Sequence, residues 1–187
     1  MKTLNQKKIM HYKSIVYVIV IIIFSSCSTG MKIRTKNFIE ITNDFSGTFN
    51  VNPHNVQSKH KTNFKPEILF LFNIDNKVLK AKKVHINFDK NHDLVVSYKG
   101  LLGIETKHFN GKFNKKGYYE IHISKERITV PPLFPILYSR TNIDRIRIGL
   151  SKNGNLIIDK YLNRTSNIFL LAGGSVSRSQ SFYKKIK

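Results

Sequence analysis

The stretch IDRIRIGLSKNGNLIIDKY, residues 143–161, decides the fold class of this 187-residue chain. Apolar and arginine side chains alternate along its first half, and a period of two is typical of a strand with one buried face. Asn153-Gly154 supplies the positive-φ pair of a type I′ turn, and Leu156 begins an apolar return strand. The segment therefore predicts an antiparallel hairpin, with one face carrying Ile146, Ile148 and Leu150 and the other Arg145 and Arg147.

The length of the turn also predicts the register of this hairpin. A two-residue turn places Ile148 opposite Asp159, so that an aspartate lies beside a mostly apolar face. We consider two explanations for this irregularity. Either Asp159 lies at the rim of the sheet, or Arg145 or Arg147 on a neighbouring turn of the chain is its partner.

The same two-residue period recurs on both sides of this hairpin. Residues 84–88 and 94–98 alternate strictly around a five-residue polar loop, which predicts a second hairpin. We expect a third at Asn110-Gly111, and we expect Gly173-Gly174 to form the turn between the last two strands. Further strands are expected at residues 44–49, 68–72, 118–123, 127–130, 168–171 and 181–186, and a loop at residues 51–65.

These strand patterns predict an all-β, antiparallel domain. After residue 26 we find no stretch with a helical stripe of four turns. A meander closed into a barrel is the expected architecture because closure removes exposed edges, and a β-sandwich is the alternative. The expected organisation is a signal peptide at residues 1–26, a lipidated N-terminus and tether at 27–43, and the β-domain at 44–187.

The N-terminus has the order of a secretory signal peptide: four lysines, an apolar run at residues 15–24 and two small residues before Cys27. The run is about half of the roughly 20 residues that a membrane-spanning helix needs. An ordinary cleaved signal is an alternative, but Ser25-x-Cys27 is only a weak version of the usual Ala-x-Ala site. A cysteine placed there by chance is another alternative, and it would leave an exported protein with a free thiol.

Phe24-Ser25-Ser26-Cys27 resembles the lipobox of bacterial lipoproteins. The resemblance implies that Cys27 is acylated, with palmitate among its chains, and that it becomes the first residue of a membrane-anchored envelope protein. Ser28 is not the acidic residue that retains some lipoproteins in the inner membrane. By that analogy we expect the outer membrane, with the domain facing the periplasm.

Gly47-Thr48-Phe49, preceded by Asp44-Phe45, resembles the Gly-x-Trp element that opens the first strand of lipocalins, with Phe49 in place of tryptophan. In that family a basic residue near the last strand packs over the aromatic ring, and Arg178 is the candidate here. The resemblance implies a barrel whose interior binds an apolar or anionic envelope molecule without catalysis.

The charge of the chain favours anionic partners. It has 32 Lys and Arg against 11 Asp and Glu, and removing residues 1–26 lowers the net charge from +21 to +17. An exported, tethered protein with this charge is drawn to anionic lipid or polysaccharide, whereas we expect no nucleic acid there. The alternative is that the lysines only solvate the surface. The expected contacts with an anionic partner are Arg140, Arg145, Arg147 and Arg178.

The sequence favours no enzymatic chemistry, metal or cofactor. No histidine pair has the helical i, i+4 spacing of a zincin, and Gly173-Gly174-Ser175 is not a nucleophile elbow. Those glycines have the alternative of an anion-binding nest beside Arg178. Glu120 and His122 share a strand face, where they either bind a metal or share a proton together or form part of a solvated polar surface.

Residues 131–138 are apolar and contain three prolines, which excludes a regular central strand. We expect this loop at the barrel mouth, either as a lid that covers a ligand or enters the bilayer, or as a plug over the core. Its candidate contact residues are Leu133, Phe134, Ile136, Leu137 and Tyr138.

Two functions remain open from the sequence. One is the binding of a lipid-like or anionic envelope ligand inside a hollow barrel. The other is a solid-cored structural or interaction module whose basic face docks on an envelope polyanion or on a protein partner, which the sequence does not identify.

Overall fold

The structure is a computed structural model, which describes residues 37–58, 66–75, 80–130, 138–169 and 171–186. These residues contain twelve strands and one short helix, and all the strand pairings are antiparallel. The predicted all-β, antiparallel class is therefore confirmed. The elements are β1 (Phe38–Ile39), β2 (Ser46–Asn50), β3 (Asn55–Ser58), α1 (Ile68–Leu71), β4 (Lys83–Phe88), β5 (Leu94–Lys99), β6 (Ile104–Phe109), β7 (Gly111–Phe113), β8 (Tyr119–Val130), β9 (Tyr138–Ser151), β10 (Leu156–Ile168), β11 (Leu171–Tyr183) and β12 (Lys185–Ile186).

The strands form two sheets. Sheet A has the order β3-β11-β10-β9-β8-β7, and β1 pairs with β9 beside this path. Sheet B has the order β12-β2-β4-β5-β6. Both β1 and β3 fall in segments that we expected to lack regular structure, the first in the tether and the second in the loop at residues 51–65.

The hairpin predicted at residues 84–98 is confirmed as β4 and β5. Its two strands pair Val84 with Tyr98, Ile86 with Val96 and Phe88 with Leu94. All six side chains are buried on the inner face of sheet B, as strict alternation requires.

The inner faces of the two sheets share one hydrophobic core. Phe88 of sheet B packs against Phe113 and Tyr119 of sheet A, with ring centroids 4.8–4.9 Å apart. The Tyr119 hydroxyl donates to the carbonyl of His92 at 2.9 Å, so this buried ring keeps its polar atom satisfied. Burial also raises the pKa of Tyr119 to about 12, which keeps the hydroxyl protonated at neutral pH.

The expected closed barrel is wrong, and the two sheets fit the sandwich alternative. At Asn110 and at Lys184 a single residue connects a strand of one sheet to a strand of the other. Among the described residues, no strand of sheet A is paired with a strand of sheet B, at these two connections or elsewhere. The barrel was expected because closure hides edges. Sheet B protects its edge strand β6 differently, with the charged or polar side chains of Glu105, Lys107 and His108.

The central hairpin forms as β9 and β10, but its predicted register is wrong by one residue. Ile148 pairs with Ile158, and Asp159 pairs with Arg147 on the opposite face. The cause is the turn. A type I′ turn needs a positive φ at both Asn153 and Gly154, and of these two only Gly154 has one, at 73°. The connection is therefore longer than two residues, and the apolar faces stay in register.

Residues 68–72, expected as a strand, form helix α1 and the residue that follows it. Ile68, Leu69, Leu71 and Phe72 are buried, whereas Phe70 is exposed. This i, i+1, i+3, i+4 pattern is that of a helix with one buried face. All five residues are apolar, so the sequence cannot distinguish this helix from a buried strand.

The hairpin expected at Asn110-Gly111 is also wrong, because the two flanking strands belong to different sheets. A Cβ on Gly111 would lie 2.6 Å from both the Glu120 carbonyl oxygen and the Tyr119 ring. Gly111 is therefore required for the close approach of β7 to β8 and not for a tight turn.

The four long strands β8 to β11 extend past the core as a projecting sheet, which we name the arm. It consists of residues 124–130, 138–144, 162–169 and 171–177, and apart from Asp144 each of its residues is half-buried or exposed. Gly173 and Gly174 lie inside β11, so the turn expected there is wrong. A Cβ on Gly174 would lie 2.2 Å from the Arg164 carbonyl oxygen, which explains a glycine within the strand.

Candidate functional site

A ladder of charged side chains crosses the outer face of sheet A at the base of the arm. Strand pairing aligns Glu120 with Arg147, and Arg147 with Asp159. Paired residues of neighbouring strands share a face, so these side chains are within reach of each other. We name this set the charged ladder, and its members are Tyr118, Glu120, His122, Arg145, Arg147, Asp159, Tyr161 and Arg178.

Glu120 holds two of these neighbours. Arg147 Nε donates to Glu120 Oε2 at 2.7 Å, and His122 Nε2 lies 3.2 Å from Glu120 Oε1. Burial raises the pKa of Glu120, but the hydrogen bond and charge of Arg147 outweigh it, so the pKa lies below its ordinary value. Burial lowers the pKa of His122 against the opposing charge of Glu120. Glu120 is thus ionised and His122 neutral at neutral pH.

Asp159 is fully buried and is bound by Arg178. Arg178 Nε and Nη2 donate to Asp159 Oδ2 at 3.0 Å and 2.8 Å. The partner of Asp159 is therefore an arginine of the adjacent strand β11, which neither explanation from the sequence named. A buried carboxylate needs such a pairing because desolvation of an isolated charge is costly.

The remaining ladder arginine, Arg145, stacks on an aromatic ring. Its guanidinium lies 5.0 Å from the Tyr161 ring centroid, and that of Arg147 lies 4.9 Å from the Tyr118 ring centroid. Burial and the nearby charge of Arg147 lower the pKa of Arg145, although it stays charged. Three of the four expected anion-binding arginines are thus engaged within the fold.

Arg140 differs from the other three because it is exposed on the arm. It is paired with Ser166, and the neighbouring Asn142 is paired with Arg164. Since residues two apart on a strand share a face, both arginines and both polar side chains lie on one surface, which we name the arm cluster. These residues, with Thr141 and Thr165, line a shallow concavity of about 350 Å³.

The arm cluster has the chemistry of an anion site. Neither Arg140 nor Arg164 forms an ion pair with another described residue. Glu126 is paired with Asn142 on the next strand and therefore shares this face, but it is exposed and forms no ion pair with either arginine. Asp144, further along the same face, is neutralised by Lys160, whose Nζ lies 2.6 Å from its carboxylate oxygen. Two free guanidinium groups flanked by a hydroxyl and an amide suit phosphate or carboxylate oxygens.

The sequence did not identify Arg164. Residues 162–167 lack a clear alternation, because neither face of the arm is fully buried. Because the arm is exposed, its sequence lacks the pattern that marks a strand. The pairing that brings Arg164 beside Arg140 could therefore not be predicted from the sequence.

Most residues of the predicted barrel-mouth loop, and the predicted lipidation site, lie outside the residues that the structure describes. Of the expected loop residues, Tyr138 is described as the first residue of β9, and Leu133, Phe134, Ile136 and Leu137 lie outside the described residues, as does Cys27. The two residues of the lipocalin comparison lie in different sheets. Phe49 stacks on Phe45 in the core, and Arg178 binds Asp159.

Other kinds of site find limited support in the described residues. They contain no group of three or more His, Cys, Asp or Glu side chains that could hold a metal ion. A second concavity, of about 640 Å³, lies on the outer side of sheet B, where Thr48, His85, Ser97 and Ile104 contribute to its wall.

Within the described part of the chain, no helix is long and apolar enough to cross a membrane. Comparison of the chain with protein-family models, with curated proteins and with solved structures found no match.

Proposed function

We propose that this chain is a lipid-anchored envelope protein that docks, without catalysis, on an anionic surface through the arm cluster. The observation that carries the proposal is the pair of exposed guanidinium groups of Arg140 and Arg164 on one face of the arm, neither of which forms an ion pair within the described part of the chain. The lipobox resemblance supplies the anchor at Cys27 and the location, which we propose to be the outer membrane facing the periplasm.

The filled core favours docking on the surface over binding in an interior. A hollow barrel would hold its ligand between the sheets, but that space contains the packed rings of Phe88, Phe113 and Tyr119. The ladder does not offer an alternative anion site, because Arg147 and Arg178 already bind carboxylates. Among the described residues, the arm cluster therefore offers a partner two exposed arginines on one face that form no ion pair.

The magnitude expected from two such arginines is measurable. A basic side chain near an anionic surface contributes about 1 kcal/mol. Two together contribute about 2 kcal/mol, or roughly a 30-fold change in affinity, since about 1.4 kcal/mol corresponds to tenfold. The effect weakens with salt, because exposed charges are screened over about 10 Å at 0.1 M ionic strength.

The test is salt elution of the detergent-solubilised full chain from phosphocellulose. We expect the variant Arg140→Gln/Arg164→Gln to elute at a clearly lower salt concentration than the unaltered protein. The matched control, Lys90→Gln/Lys152→Gln, removes the same charge from two exposed turns outside the arm. Equal elution of the two variants would mean that net charge, and not the arm cluster, determines binding.

A further inference from the structure

The free end of the arm carries a row of apolar side chains. Strand pairing aligns Val130 with Tyr138, Tyr138 with Ile168, and Ile168 with Leu171. These four residues lie on one face, one on each strand, and Phe169 follows in the adjoining turn. We name these five residues the apolar tip.

The apolar tip is unusually exposed. Val130, Ile168, Phe169 and Leu171 are each more than half exposed, and Leu171 is 80% exposed. Single exposed apolar residues are common on protein surfaces, but a contiguous set across four strands is typical of an interaction site. The tip lies at the end opposite the core, so it does not contribute to the packing between the sheets.

The conformation of Phe169 also lacks a structural explanation. Its φ is 46°, in the left-handed region that a bulky side chain rarely adopts. Turn chemistry favours Gly, Asn or Asp at such a position. An aromatic ring at this strained position is readily understood if the ring serves a contact outside the fold.

Cationic side chains lie behind the apolar tip at graded distances. Arg140 is two residues from Tyr138, and Arg164 is four residues from Ile168. At about 3.4 Å per residue these offsets are about 7 Å and about 14 Å along the strands. An apolar end followed by cations at these distances matches a bilayer, whose acyl chains are overlaid by phosphate headgroups.

We propose that the apolar tip inserts into the boundary layer of a phospholipid bilayer while Arg140 and Arg164 bind anionic headgroups. This inference rests on the proposed docking function and commits its anionic surface to a membrane. A polysaccharide would complement the arginines but would not favour burial of Ile168, Phe169 and Leu171. The charge complementarity and the order of the two surfaces favour lipid as the occupant.

The experiment places a fluorophore on the tip of the full chain. The variant Cys27→Ser removes the chain's cysteine, and Leu171→Cys then provides a single labelling site for a polarity-sensitive dye. The fluorescence of the label is measured with vesicles of phosphatidylcholine and phosphatidylglycerol. One set of vesicles contains lipids with brominated acyl chains, which quench a dye that enters the bilayer, and the other set does not. Asn153→Cys, in the exposed turn at the other end of β9 and β10, is the matched control site.

For the label at position 171 we expect a blue shift and quenching by the brominated acyl chain. For the label at position 153 we expect neither change. In co-sedimentation, Phe169→Ser/Leu171→Ser should lower partition at least tenfold, which is about 1.4 kcal/mol and less than full burial of two apolar side chains would contribute. If the tip label stays solvent-exposed while partition still depends on Arg140 and Arg164, insertion is refuted and docking stands. If partition does not depend on these arginines, the docking function itself fails.

Two other occupants of the tip would give different results. A second copy of this chain would appear in sedimentation velocity as a dimer that Phe169→Ser/Leu171→Ser dissociates in the absence of vesicles. A protein partner would require an envelope extract for the blue shift, which pure vesicles would then fail to produce. Either result overturns the bilayer proposal.

Discussion

Asp159 shows how a single charge is accommodated on the outer face of the sheet. Its carboxylate is completely buried, and Arg178 binds it with two donors on the adjacent strand. Removing one partner of a buried pair leaves an uncompensated charge, which typically costs 3–5 kcal/mol. The side chain of Arg178 is partly exposed, so water relieves some of this cost.

For Arg178→Ala we therefore expect a loss of about 3 kcal/mol in the free energy of unfolding, measured by urea denaturation of the full chain. The control is Asp159→Leu/Arg178→Met, which replaces both partners by apolar side chains and should unfold close to the unaltered protein. A loss below about 1 kcal/mol for Arg178→Ala would show that another group serves the carboxylate.

Phe169 allows stability and binding to be separated at one residue. Asn tolerates the left-handed conformation better than Phe, so Phe169→Asn should raise the free energy of unfolding by about 0.5–1 kcal/mol. The same change removes an apolar side chain from the tip and should lower vesicle partition. Urea denaturation and co-sedimentation of one preparation give both values. Weaker stability together with unchanged partition would contradict the role given to Phe169.

At the scale of elements, the sequence predicts strands well where one face is buried and poorly elsewhere. Residues 84–98 alternate because their inner side chains enter the core, and their hairpin is confirmed in pairing and face. Around Asn153-Gly154 the predicted faces of β9 are right, but those of β10 are wrong, because the register depended on a turn geometry that the Asn-Gly pair does not fix. Residues 68–72 are apolar throughout, so no period separated helix from strand.

Asn110-Gly111 and Gly173-Gly174 show why the order of the strands was harder to predict. Gly111 and Gly174 are needed where strands approach closely, as the contacts of an added Cβ show. A glycine needed for space and one needed for a turn have the same sequence signature. The candidate site was predicted only in part. Arg140 was identified, but Arg164 lies beside it only because β10 continues through the arm, which the sequence did not predict.

At the scale of the whole molecule, the proposed anchor and the arm are two separate attachments acting together. Linking the lipid anchor to a second contact strengthens attachment through effective concentration. Cys27 and the arm cluster should therefore contribute separately to membrane retention, and they should differ in salt dependence because only the arm acts through charge.

We accordingly expect Cys27→Ser to abolish incorporation of labelled palmitate in the expressing bacterium. The variant should remain partly with membranes at low salt, held by the arm, and be released by 1 M salt, where the Debye length is only about 3 Å. Adding Arg140→Gln/Arg164→Gln should release it at low salt as well, whereas adding Lys90→Gln/Lys152→Gln should not. Palmitate labelling that persists without Cys27 would refute the lipobox assignment. Retention of the Cys27→Ser chain that the arm substitutions leave unchanged would instead show that a contact other than the lipid and the arm cluster holds it, which would contradict the docking role of Arg140 and Arg164.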